Sequence, residues 1–131
     1  MASINKQVII AVERSEIWAA LTDLGQVHRF FPGVLSDARL DGDGRVVTFV
    51  NGMEVREIII DRNDAAMRLV YAAVEGGVTT HHNASWQLFE AGEGRTRFVW
   101  ISDFLPDEVA PEVRELVEAG TAAFKRVMEF R

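Results

Sequence analysis

Between residues 34 and 104 short extended runs alternate with turns too brief to do anything but reverse the chain, and one long amphipathic segment follows them. Strands are expected at about 34–40, 45–50, 53–61, 67–75, 78–90 and 95–104, with a further valine- and isoleucine-rich strand at 4–12. The breaks between them are Asp41-Gly42-Asp43-Gly44, Asn51-Gly52, Arg62-Asn63-Asp64, Gly76-Gly77 and Gly92-Glu93-Gly94. Parallel neighbours need a crossover of about a dozen residues or more, so these strands can pair only antiparallel. In the last segment Val109, Val113, Leu116, Val117, Gly120, Phe124, Val127 and Met128 recur at helical spacing, which predicts a helix over about 108–129. Gly120 interrupts that face, a feature that marks close packing.

Two short helices are expected after the first strand. One is capped by Ser15 and carries Ile17, Leu21 and Leu24; the other runs from Gln26 to Phe31 and stops at Pro32-Gly33. The element order gives an α+β fold, a seven-stranded antiparallel sheet covered on one face by helix. With 131 residues and no linker-like stretch, residues 1–131 are read as one domain.

Composition narrows the function classes. The formal charge of −6, with no basic run, argues against nucleic acid as a partner. The absence of cysteine removes thiol chemistry and thiolate metal sites and suits a reducing cytoplasm. No zinc-spaced cluster, nucleophile elbow or phosphate-binding glycine loop is present, so neither a metal nor a cofactor is expected. The apolar stretch at the start is too short for a signal-peptide core or a membrane span, so membrane insertion is not expected.

Hairpin geometry then brings particular side chains together. A two-residue turn at Asn51-Gly52 sets Glu57 opposite Val46, one at Gly76-Gly77 sets Tyr71 opposite His82, and the turn near 62–66 sets Glu57 opposite Tyr71. Glu57, Tyr71 and His82 then form a polar row with Tyr71 in the middle. Ala84, Trp86 and Leu88 share the parity of His82, while Asn83, Ser85 and Gln87 take the other face, so His82 faces the helix. Trp86 shares a face with Phe98 and Trp100 only if the final hairpin loop has three or five residues. By the same parity His81 and Arg56 face outward. Val47, Phe49, Ile58, Ile60 and Val70 are expected to form an apolar outer patch, which suggests a homodimer.

The chain resembles the SRPBCC group, also called START-like or Bet v 1-like, in its polyketide cyclase/dehydrase-like branch. The resemblance rests on Ile17-Trp18-Ala19-Ala20-Leu21-Thr22-Asp23-Leu24, Phe31-Pro32-Gly33-Val34, Val55-Arg56-Glu57, Arg68-Leu69-Val70-Tyr71 and Arg95-Thr96-Arg97-Phe98-Val99-Trp100, in that order. It implies a helix-grip fold with a cavity between sheet and helix. It also sets Glu57 in a position similar to the pocket glutamate of plant abscisic-acid receptors.

Two functions follow from this reading. In the first, a cavity holds a hydrophobic, aromatic, polyketide-like or lipid-like molecule, with Glu57, Tyr71, His82, Trp86, Phe98, Trp100 and Phe124 as its ligand-binding residues and Trp18 as a further flat wall. In the second, Glu57 and His82 are catalytic, exchanging protons with a bound carbonyl compound as a cyclase or dehydratase would. His28 is expected near the cavity entrance, and Arg39 is a further candidate for a ligand carboxylate.

Overall fold

The computed structural model describes residues 2–130. Strand β1 (Ala2–Ile10) leads into helix α1 (Arg14–Leu21) and a 3₁₀ helix (Leu24–Phe30). Six strands follow: β2 (Leu35–Asp41), β3 (Gly44–Phe49), β4 (Glu54–Asn63), β5 (Arg68–Gly76), β6 (His81–Glu90) and β7 (Thr96–Leu105). A 3₁₀ turn (Asp107–Val109) then opens the long helix α2 (Ala110–Phe130). The strands form one sheet in the order β1-β7-β6-β5-β4-β3-β2, with every pair antiparallel. The seven strands and the covering helix are those the sequence predicts. Helix α1 starts one residue before Ser15, with Glu13 at its N-cap and no side-chain cap, so Ser15 is not the cap expected. Among the described residues no helix is long and apolar enough to cross a membrane.

Turn geometry decides which side chains share the helix-facing side. The β6–β7 loop has the odd length required, residues 91–95, and it pairs Trp86 with Trp100 and His82 with Phe104. The β3–β4 connection differs from expectation. The Phe49 N–H donates to the Met53 carbonyl at 2.8 Å, so three residues rather than two make the loop, with Gly52 at φ +91°. A left-handed residue closing a three-residue loop is the usual alternative to a two-residue turn. This one-residue difference moves Arg45, not Val46, opposite Glu57. Val47, 2% exposed, and Phe49 turn inward with it, which removes both from the expected outer patch. Ile58 and Val70 are half-buried and Ile60 is exposed.

The next two hairpins shift by an even number, which changes neighbours but keeps faces. His82 lies opposite Ala73, and Tyr71 lies opposite Ala84. Ile60 bulges from β4 between Ile59 and Asp61, which sets Ile59 opposite Tyr71 and Glu57 opposite Ala73, and a second bulge at Val74 of β5 restores the register from Arg56 onward. Gly76, at φ +87°, permits this crossing: a Cβ there would stand 2.2 Å from the Glu54 carbonyl oxygen.

Helix α2 lies against the sheet through Val113, Val117, Gly120, Phe124 and Met128. The Gly120 flaw has the expected cause, since a Cβ there would meet the Trp100 ring at 2.9 Å. The helix end is clamped to the end of β1: Lys125 Nζ donates to the Ile9 carbonyl at 2.6 Å and to Glu129, whose carboxylate also accepts from the Ala11 N–H at 2.9 Å. Phe31, Phe98 and Phe124 fill the space beneath, with Phe124 stacked on Phe31 at 5.2 Å and 5.2 Å from Phe98. Each such ring pair contributes about 0.5–1.5 kcal/mol beyond simple burial.

Candidate functional site

The aromatic filling beneath α2 does not extend under its first turns, where Val113, Leu116 and Val117 are shorter than the span to β3, β4 and β5. A cavity of about 90 Å³ remains there, walled by these residues, by Val27 of the first 3₁₀ helix and Phe31 just after it, and by Val47, Val55 and Ala73 from the sheet. It leads to an open groove of about 380 Å³ between α2 and the loops at Gly33–Val34, Phe49–Met53 and Val78. Glu112 and Glu115 border that groove.

Apart from Thr79 in the β5–β6 loop, the polar side chains of the cavity come from the sheet. Arg45 on β3 has a side chain only 1% exposed, and its Nε donates to Glu57 Oε1 on β4 at 2.9 Å. Its guanidinium carbon sits 5.5 Å from the centre of the Tyr71 ring and 5.6 Å from that of Trp86, close enough for cation–π attraction. Burial pushes the Tyr71 phenol well above its ordinary value, and the Glu57 charge adds to the shift. Three buried N–H groups around this cavity have no hydrogen-bond partner: Arg45 Nη1, Trp86 Nε1 and Trp100 Nε1. The Trp100 N–H lies near the Tyr71 hydroxyl but makes no hydrogen bond to it.

A second polar pair lies on β6 and β7. His82 Nε2 and Ser102 Oγ are 2.5 Å apart, and both line the cavity. Burial holds the imidazole below its ordinary value, the charge of His81 adds to this, and Asp103 opposes it. A neutral imidazole near neutral pH can accept a proton or donate its single N–H, according to tautomer.

Glu57, Tyr71, His82, Trp86 and Trp100 therefore share one cavity, as their parity predicts. The relay through Tyr71 is corrected. Ala73 stands between Glu57 and His82, Tyr71 lies one pleat further along β5, and no hydrogen bond joins any two of the three. Phe98 and Phe124 are also corrected as cavity lining, since both are fully buried behind it as aromatic filling. Trp18 is away from the cavity, its indole N–H donating to Asp64 at 2.9 Å and tying α1 to the β4–β5 turn. His28 is half-buried on the 3₁₀ helix and does not line the cavity. Arg56 faces outward onto Asp41 and Asp43, His81 bonds Asn83, and Arg39 is exposed. Arg45 and Ser102 are cavity residues that sequence reasoning missed. Opposite charge across a strand pair was a signal for the first, and a hydroxyl at the parity of Phe98, Trp100 and Phe104 for the second. Among the described residues no three His, Asp or Glu side chains gather as metal ligands would.

Comparison with known proteins agrees with this architecture. Residues 1–130 match the family described as polyketide cyclase / dehydrase and lipid transport. No curated protein matches the sequence. Among solved structures, a protein from Bacillus thuringiensis is 18% identical with a TM-score of 0.87, covering 97% of this chain and 98% of its own. A START superfamily protein from Mycobacterium smegmatis is 12% identical with a TM-score of 0.78, covering 97% of each chain. Norcoclaurine synthase from Thalictrum flavum, solved with dopamine and hydroxybenzaldehyde, is 19% identical with a TM-score of 0.74, covering 99% of this chain and 88% of its own. These likenesses identify the START/Bet v 1-like helix-grip fold.

Proposed function

Because the chain belongs to the polyketide cyclase/dehydrase and lipid transport family, we propose that it binds a hydrophobic small molecule, with an aromatic or polyketide-like body, in the cavity beneath the first turns of α2. The observation that carries this reading is the division of the cavity surface. Aliphatic side chains and Phe31 supply the walls on the helix side, while the charged groups, the imidazole and the indole N–H groups come from the sheet, with the Thr79 hydroxyl at the β5–β6 loop beside them. Sites for small molecules combine apolar walls with a few placed polar groups in this way. The groove beside α2 supplies an approach to the cavity, and ligands larger than a single ring would extend into it. The proposed setting is a reducing cytoplasm, which a chain without cysteine suits.

The test is a panel of aromatic, lipid and polyketide-like compounds, read by tryptophan fluorescence and thermal melting. A ligand present at about 100 times its Kd stabilises the folded state by about 2.7 kcal/mol, enough to raise the melting temperature by several degrees. Quenching should come from Trp86 and Trp100, which line the cavity, and should persist in Trp18→Phe. A panel that moves neither signal refutes the reading.

One observation favours catalysis as a second reading. His82, kept neutral and bonded to Ser102 inside the cavity, is placed to exchange a proton with a bound carbonyl compound. If it does, His82→Ala lowers turnover by about 10²–10⁴-fold while ligand affinity changes little. In a carrier the same change alters affinity alone.

A further inference from the structure

We infer that the cavity selects ligands whose buried end is an uncharged oxygen acceptor, a ketone, aldehyde or ester carbonyl, and rejects the matching carboxylate. This rests on the reading that the cavity binds a small molecule and adds which class it takes. The donor inventory comes first. Arg45 is a donor only, and so are the indole nitrogens of Trp86 and Trp100. Arg45 uses its Nε on Glu57, and its Nη1 is buried without a partner, as are the two indole N–H groups. These donors belong to neighbouring residues: the guanidinium lies over the Trp86 ring, and the Trp86 and Trp100 rings are 5.6 Å apart, edge to face. Buried donors without acceptors are uncommon in folded proteins, and a ligand oxygen that satisfies one of these three, all on residues lining one cavity, removes that cost.

Charge then decides which oxygen. A lone guanidinium would favour an anion, but Arg45 is already neutralised by Glu57 at 2.9 Å. A ligand carboxylate would set a second anion around one buried cation and would have to shed its hydration to do so. A carbonyl oxygen accepts the same N–H groups with no such charge. Glu57 is thus a specificity-determining residue. It holds Arg45 by one N–H and cancels the charge that would otherwise attract acids.

Three single-ring probes of similar size separate these effects: acetophenone, benzoate and ethylbenzene, titrated by calorimetry and followed by NMR. Wild-type protein should bind acetophenone at least about tenfold more tightly than either of the others, the scale of one hydrogen bond to a charged donor. Glu57→Gln keeps the shape and frees the Arg45 charge, so benzoate should gain at least about tenfold relative to acetophenone. The double variant Arg45→Met/Glu57→Gln leaves no lone buried charge and carries the test even if Glu57→Gln does not fold. In it the preference for acetophenone over ethylbenzene should shrink by at least about threefold from its wild-type value, the two indole N–H groups remaining as donors, and an unchanged preference overturns the part assigned to Arg45. Benzoate binding as well as acetophenone to the wild type overturns the inference, and so does an unchanged ratio in Glu57→Gln. Ethylbenzene matching acetophenone in the wild type overturns it while leaving apolar binding intact. Failure of all three probes to bind removes the cavity reading together with this one.

Discussion

Neutralising one partner of the Arg45–Glu57 pair should destabilise the protein far more than neutralising both. The Arg45 side chain is 1% exposed and that of Glu57 is 11% exposed, so solvent screens their attraction little. At an effective dielectric of about 20, unit charges about 4 Å apart attract by about 4 kcal/mol, which offsets the cost of taking both ions out of water. Glu57→Gln keeps an acceptor for Nε but leaves an uncompensated buried cation. Arg45→Met leaves a buried carboxylate and also gives up the contacts over Tyr71 and Trp86. Losses of this kind run to about 3–5 kcal/mol, and we expect about 3 kcal/mol for each single change. The double change Arg45→Met/Glu57→Gln should cost only about 1–2 kcal/mol, because neutral groups of similar volume often replace a buried ion pair with little loss. Urea unfolding at neutral pH measures all four proteins. A loss of about 3 kcal/mol lowers the midpoint by about 1–3 M, with the slope unchanged. If the two single effects simply add, within about 0.5 kcal/mol, the charges are not coupled and the reasoning about the cavity wall fails.

Gly120→Ala gains about 1 kcal/mol of helix propensity but sets a methyl group 2.9 Å from the Trp100 ring, an overpacking cost of about 1–3 kcal/mol. A net loss of about 1 kcal/mol with an altered near-ultraviolet spectrum is expected, and a stabilised protein with an unchanged spectrum would count against the close approach. Burial holds the His82 imidazole below its ordinary value of about 6.5, so the unfolded chain takes up that proton first as the pH falls. Stability should therefore decline below about pH 6.5 and level off once the folded protein is protonated too. His82→Gln should flatten the melting temperature between about pH 7 and 5, and an unchanged slope would assign the effect elsewhere. Tyr71 is the single tyrosine, and its phenol is held above the ordinary value of about 10. Above that pH the unfolded chain loses the proton that the folded chain keeps, so stability falls. Tyrosinate absorbance should appear only together with alkaline unfolding, and its appearance in the folded protein would refute the burial argument.

The sheet and helix were legible because short turns force antiparallel pairing and because the faces of β6 and β7 differ clearly in polarity. Parity alone placed His82, Trp86 and Trp100 correctly, and it survived the two-residue shift at the β5–β6 hairpin. Arg45 was hidden for two reasons. The loop at Val50–Gly52 has three residues, and Val46 and Val47 are both apolar, so β3 offers no alternation to reveal the slip. In the observed register Val46 lies between Arg39 and Arg56, whose aliphatic stems can cover it from outside. The position of Tyr71 depends on a bulge at Ile60 in β4 that no local residue signals. Phe98 and Phe124 have the right parity for the cavity, yet parity says nothing about distance along the strand or helix, and they belong to the filled end.

The strand order has a consequence for how the chain is made. Every strand from β2 to β7 pairs with its neighbour in sequence, but β1 pairs with β7, from Ala2 against Phe104 to Ile10 against Thr96. On a ribosome adding about 5–20 residues per second, β1 waits roughly 5–20 s before its partner exists. For that interval Val8, Ile9 and Ile10 form a sticky edge with no native ladder to join. Lys6 lies in the middle of the same strand, and a lysine there discourages pairing with the wrong chain. In the finished fold its ammonium reaches Glu118 of α2 at 2.8 Å, so a charge that guards the nascent strand later helps to hold the helix.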